Sequence, residues 1–286
     1  MRFAISAFVF AVIVLLSSGV CPAVASEDLL VIEQDYSIVE HTNRGFDAKD
    51  VRQTLYITRD MVTIDEFGDN GKTPTETFQI DLKNKRIINL DHTTKQILVN
   101  ESFADRRAQI LRHKKQIQSD LAALEPGEQK NKMLKLFRSM LDAERDYKLV
   151  EDSGTKDVAG AKCKTVKIVD AKDAAATAFT AILHPELDLP YDNSEVLFLV
   201  KVIGEKMAQF LKDNKATFSR VPMEMHLELA EGGKLDLKVI SVKSMKVEAL
   251  DPKARALGSP FEIPEGYTLV RKYTPKNTEP VKDKAD

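Results

Sequence analysis

Cysteine is almost absent from this chain: there are two, Cys21 and Cys163. Cys21 falls within an N-terminal leader, so the mature chain keeps one thiol and a disulfide scaffold is excluded. Neither sign of charge predominates. With 42 Lys and Arg against 44 Asp and Glu, a net charge of −2, the chain lacks the concentrated basic surface that nucleic acid requires. The same balance gives no support to a protein drawn to anionic membranes. A Gly-rich phosphate loop and a Gly-x-Ser-x-Gly elbow are both missing. The five histidines, His41, His92, His113, His184 and His226, show no metal-ligand spacing. No pair of carboxylates stands out for acid–base work. Neither a catalytic residue, a metal nor a cofactor is expected, and the chain reads as a non-enzyme.

What is present begins with an export signal. Arg2 supplies a positive start, an apolar run follows from Phe3 to Leu16, and Ala23-Val24-Ala25 offers the small-x-small pattern of a cleavage site before Ser26. The run is short of the roughly 18 residues of a membrane span. Residues 1–25 are therefore read as a signal peptide, and the rest as exported to the periplasm or beyond. Cys21 does not read as a lipid anchor, because Ser18 and Val20 occupy the positions where a lipoprotein signal needs a large aliphatic and a small residue. Residues 26–270 read as one α+β domain. Residues 271–286 read as a disordered tail, since Lys276 to Asp286 have no apolar pattern.

The domain opens as an antiparallel meander. Short segments rich in β-formers lie near 29–40, 53–59, 61–67, 75–82, 86–91 and 94–99, separated by turn signals such as Gly68-Asp69-Asn70-Gly71 and Asn84-Lys85. Leu55 and Ile57, Val62 and Ile64, and Phe78, Ile80 and Leu82 each share a face. The alternate residues Thr54, Thr63, Asp65, Thr77, Gln79 and Asp81 are polar, which predicts one buried face and one wet face. From Glu101 to about Leu124 the period becomes helical. After Glu125-Pro126-Gly127 a second helix carries Met133, Leu134, Phe137, Met140 and Leu141, making a helical hairpin with a charged exterior. Strands return at about 147–152, 162–170 and 175–184, ended by Pro185 and Pro190.

A third helix is predicted from about Asn193 to Asp213. It holds the densest apolar patch of the mature chain, Leu197 and Phe198 among it; Lys201, Glu205 and Lys206 interrupt it, so it is no membrane span. The last hairpin is the clearest element. Met223, Met225, Leu227 and Leu229 alternate with polar residues, as do Leu235, Leu237 and Val239. Keeping both apolar sets on one face predicts a three-residue loop with Gly233 left-handed, and Leu229 opposite Leu235. A closing extended segment runs from Phe261 to Tyr267. Together these elements predict an α+β fold: a large curved antiparallel sheet, a half-barrel or open barrel, with the helical hairpin and third helix packed on its concave face.

The order of these elements resembles the periplasmic lipoprotein-carrier (LolA/LolB-like) superfamily, and still more the exported proteins of a related domain of unknown function. The meander from Tyr56 to Val99, the phrase Gly160-Ala161-Lys162-Cys163-Lys164-Thr165 and the closing Phe261 to Tyr267 carry the resemblance. It implies a carrier that holds acyl chains between sheet and helices. No binding residue of that superfamily matches a position here. From the residues themselves, the candidate ligand-binding set is Leu197, Phe198, Met223, Met225, Leu227 and Leu237, for which plain core packing is the alternative. Cys163 reads as a packed core cysteine. The leading expectation is an envelope protein that binds a lipid, acyl chain or lipidated protein. The rival is a solid-cored module that binds another protein through the hairpin of residues 101–145 or a free sheet edge.

Overall fold

Alternating β-formers assemble into a single 12-stranded sheet. The computed structural model describes residues 28–42, 45–68, 71–131, 133–134, 146–172, 177–191, 205–228, 234–251 and 255–270. The leader with Cys21, residues 193–204 of the third helix, most of the second hairpin helix, the 229–233 turn and the tail lie outside the described residues. The strands are β1 (Asp28–Thr42), β2 (Gly45–Ile57), β3 (Met61–Phe67), β4 (Pro74–Asp81), β5 (Arg86–Asp91), β6 (Gln96–Ser102), β7 (Tyr147–Val158), β8 (Ala161–Asp170), β9 (Thr177–Asp188), β10 (Arg220–Glu228), β11 (Lys234–Lys246) and β12 (Thr268–Leu269). Their order in the sheet is β12-β6-β5-β4-β3-β2-β1-β11-β10-β9-β8-β7, so the sheet stays open, with β12 and β7 at its edges. All neighbours are antiparallel except β12, which lies parallel to β6.

Helix α1 (Phe103–Ala123) follows β6 directly, and Ser102 caps it by accepting from the Asp105 amide. It buries Phe103, Ile117 and Leu121. Helices α2 (Glu205–Asp213) and α3 (Lys215–Phe218) bury Leu211 and Phe218 in the same apolar cluster as the strands. Phe210 of α2 sets its ring against Tyr147 of β7, centroids 5.9 Å apart.

One face of the sheet matches the expected apolar wall; the other does not match the expected wet face. Thr63, Asp65, Thr77, Gln79 and Asp81 are buried. The covering is the chain's own segment from Arg255 to Tyr267. The Thr63 hydroxyl and the Gln79 amide both donate to the Pro260 carbonyl, at 2.8 and 2.9 Å. Arg255 donates to both Asp65 oxygens, at 2.6 and 2.8 Å, and to Thr77. The polar residues read as solvent-facing are the partners that let a polar strap lie on the sheet without stranding its backbone groups. That strap is a series of turns rather than the extended segment expected over Phe261–Tyr267, and only Thr268–Leu269 joins the ladder.

Two further expectations are corrected. In the last hairpin Leu227 pairs with Leu235, Met225 with Leu237 and Glu228 with Lys234. Leu229 is therefore not opposite Leu235. The register has slipped by two, which preserves every facing, whereas a slip of one would have inverted it. Strand β9 runs through Pro185 to Asp188. Its pairing with β8 ends at Leu183 and the β10 ladder is irregular around Pro222, so the missing proline N–H breaks no ladder bond.

Candidate functional site

The apolar face can be read as rows that cross the strands, because paired residues share a face. One row is Leu30, Ile57, Val62, Ile80 and Ile87, and the next is Ile32, Leu55, Ile64, Phe78 and Asn89. The third is Gln34, Gln53, Glu66, Glu76 and Asp91, polar on all five strands. The apolar character then resumes: Tyr36 leads through Leu237 and Met225 to Ala181, and Ile38 through Leu235 and Leu227 to Phe179. A polar seam thus runs across an otherwise apolar wall.

The seam is deep at one end and open at the other. Gln34 and Gln53 are fully buried (0% exposed each) and Glu66 is at 6%, whereas Glu76 and Asp91 are partly exposed. Gln34 Nε2 donates to Gln53 Oε1 at 2.9 Å, leaving Gln34 Oε1 and Gln53 Nε2 without a hydrogen-bond partner. Buried polar atoms are seldom left so, because each costs about 1–3 kcal/mol. Glu66 accepts from the Tyr36 hydroxyl at 3.3 Å and from Lys49 Nζ at 2.6 Å. Burial and the neighbouring Glu66 push the Tyr36 phenol far above its ordinary range. Glu76 is raised by burial first and by Glu66 second. Asn89, in the adjoining row, hydrogen-bonds Glu76 and leaves its own Oδ1 unpartnered. Asp91 is engaged locally, accepting from the Thr93 and Thr94 amides.

Of the residues singled out in the sequence, Met223, Met225 and Leu237 are buried on this wall and Leu227 is packed against it, partly buried. Leu197 and Phe198 lie outside the described residues. The structure therefore brings three of the six candidates into the rows beside the seam, with Met223 two residues along the same face. The seam itself was missed. Its signal was available: β1, β2 and β3 each place a polar residue, Gln34, Gln53 or Glu66, directly next to Leu, Ile, Val or Tyr of the same phase.

A groove of about 930 Å³ lies across β2, β1, β11, β10, β9 and β7, lined by charged residues of the opposite face and also by Tyr36, Val51, Met225 and Leu237 of the wall rows. Its charged side chains are largely paired: Arg52 with Asp35 at 3.1 Å, His226 with Asp236 at 2.5 Å, and Lys156 with Glu224. His226 is thus a partly exposed ladder residue. His184 sits within β9, not at its end, and accepts through Nδ1 from the Glu186 and Leu187 amides. Cys163 is fully buried, and burial pushes its thiol up, as suits packing rather than nucleophilic chemistry. Among the described residues no group of three His, Cys, Asp or Glu side chains is placed to hold a metal.

No family model and no curated protein matches the chain. Solved structures do. One is PNGF-II, with a TM-score of 0.34 and 12% identity over 85% of this chain; the chain spans only 31% of that one. A second is a DUF1329 family protein from Desulfovibrio piger, at 0.32 and 9%, covering 87% of this chain and 94% of its own. A third is a LolA superfamily protein from Nitrosomonas europaea, at 0.28 and 12%, covering 87% and 96%. The last two are of the kinds that the order of elements in the sequence resembles. At these scores the functional reading rests on the residues alone.

Proposed function

We propose that this is a non-enzymatic protein of the bacterial cell envelope that holds an apolar or amphipathic ligand, an acyl chain or a lipidated partner, against the apolar wall. The observation that carries this reading is the wall itself: rows of Leu, Ile, Val, Phe and Met spanning β5 to β8 on one face, crossed by the polar seam. Each Å² of such surface taken from water is worth roughly 25 cal/mol. The leader read at residues 1–25 places this ligand chemistry outside the cytoplasm. Among the described residues no helix is long and apolar enough to cross a membrane.

Native mass spectrometry after mild extraction tests the reading. A copurifying lipid that detaches at raised collision energy supports it. A clean apo mass, with no uptake of added acyl chains, removes it. The rival reading, a module that binds another protein, is favoured by one feature, the charged side chains that line the groove. A free edge gives it less support. β7 is broken by a bulge between Glu151 and Thr155 and carries Lys148, Asp152 and Asp157, devices that discourage added strands.

A further inference from the structure

The geometry points to a head-group subsite in the wall: the ligand is an amphiphile whose polar end is rich in hydrogen-bond donors and is not anionic, and that end lodges on the row Gln34–Gln53–Glu66–Glu76. This rests on the apolar-ligand reading and adds the chemistry of the polar end.

Three observations combine. First, the polar residues are contiguous, one per strand in directly paired positions, with an apolar row on one side along all four strands and Tyr36 and Val51 on the other side at β1 and β2. Isolated polar side chains in a core pair with whatever lies near; an unbroken line of them is a surface built to face something polar. Second, the deepest two are fully buried and keep an acceptor, Gln34 Oε1, and a donor, Gln53 Nε2, unpartnered side by side. Asn89 Oδ1 adds a second unpartnered acceptor one row away. Third, the row ends in the partly exposed Glu76 and Asp91, and the Glu76 carboxyl faces Glu66 and Asn89. Acceptors therefore outnumber donors along the seam. Lys49, the cation beside these carboxylates, is already held by Glu66. A carboxylate or phosphate head would meet like charge there. An ammonium or a polyhydroxyl head supplies the N–H and O–H groups that the seam lacks, and its alkyl chain continues over Met225 and Leu237.

The test uses three probes with one alkyl chain, below their micellar concentrations and near neutral pH: laurylamine, monolaurin and laurate. Titration calorimetry on the full mature chain is expected to rank laurylamine and monolaurin at least tenfold tighter than laurate. Replacing both glutamines, Gln34→Leu with Gln53→Leu, is expected to weaken monolaurin about tenfold, the value of one to two lost hydrogen bonds, and to leave laurate unchanged. Glu76→Gln lies at the open end and keeps its shape, so it stands in if the double variant fails to fold; it should weaken laurylamine selectively. Equal binding of all three probes overturns the subsite while leaving the apolar-ligand reading intact. A variant whose melting temperature moves while its probe ranking stays that of the wild type also overturns it, because the amides then serve the core alone. Binding of none of the probes sinks both.

Discussion

Arg255 and Asp65 stand 190 residues apart in the chain and form a two-point ion pair sealed from water, with side-chain exposures of 4% and 0%. Both Asp65 oxygens are used, at 2.6 Å from Nε and 2.8 Å from Nη2. Thr77 also donates to Asp65, at 2.5 Å. The pair pins the strap of residues 255–270 to the middle of the meander.

Removing one partner strands the other. Arg255→Met should cost about 3–5 kcal/mol, because Asp65 would be left as an uncompensated buried charge. Asp65→Asn combined with Arg255→Met should recover part of that loss. Urea unfolding of the two single variants and the double gives the coupling; additive losses would show that the two residues do not act as a pair. Arg255→Lys should behave more like the methionine variant than like the wild type, since an ammonium cannot make both contacts.

Beside this pair, His92 is expected to make the protein acid-sensitive. Thr77 gives its hydroxyl proton to Asp65, so at 2.6 Å it accepts from His92 Nε2, and Nδ1 accepts from the Tyr267 hydroxyl. That fixes a neutral ring, and burial holds its pKa down to about 4 despite Asp65 and Asp91, with Arg255 pushing the same way as burial. An unfolded histidine takes up its proton near 6.5. The contribution is therefore complete above about 6.5 and is lost as pH falls toward 4. Urea midpoints measured between these limits should fall in the wild type and fall less in His92→Gln. Parallel curves would exclude His92 as the cause.

The turn between β7 and β8 stores strain that can be released. Ala159 has φ +49° and Gly160 φ +82°, the paired left-handed conformation of a tight hairpin turn in which asparagine precedes glycine most readily. Ala159→Asn should stabilise by about 1 kcal/mol. Gly160→Ala should destabilise by a similar amount, and thermal melts of both variants check the pair of signs.

Leu237 and Met225 face each other across β10 and β11 and are buried at 3% exposure each. Truncating either to alanine should cost about 2–5 kcal/mol if the wall is solidly packed there. A loss below about 1 kcal/mol would instead mark a loosely filled wall that tolerates a guest. Equilibrium unfolding with and without monolaurin separates the cases, since a bound guest stabilises the native state by mass action.

The fold was largely legible from alternation, because Leu55, Ile57, Val62, Ile64, Phe78 and Ile80 repeat with the period of a half-buried strand and their pairing follows. The covering of the polar face was not legible. Thr63, Asp65, Thr77 and Gln79 look the same whether they meet water or a distant carbonyl and guanidinium, and nothing local to them names Arg255 or Pro260. The hairpin register failed by two residues for a related reason: alternation determines facing, and a displacement by an even number leaves it untouched. Of the site, Met223, Met225 and Leu237 were readable as apolar residues of one phase. The seam required noticing the opposite, a polar residue set within the apolar phase of successive strands.

Strand β1 lies between β2 and β11, and Ser241 and Lys246 reach back to Glu33 and Asp28 over 208 and 218 positions. The middle of the sheet is thus a join between the earliest described strand and β11, one of the last to leave a ribosome. Until β11 arrives, one whole margin of β1 has its amides and carbonyls unmatched. Contacts this remote close slowly, and a nascent chain in that condition invites wrong pairing with its copies. Maturation should therefore depend on a holding chaperone more than the even alternation of its strands would lead one to expect.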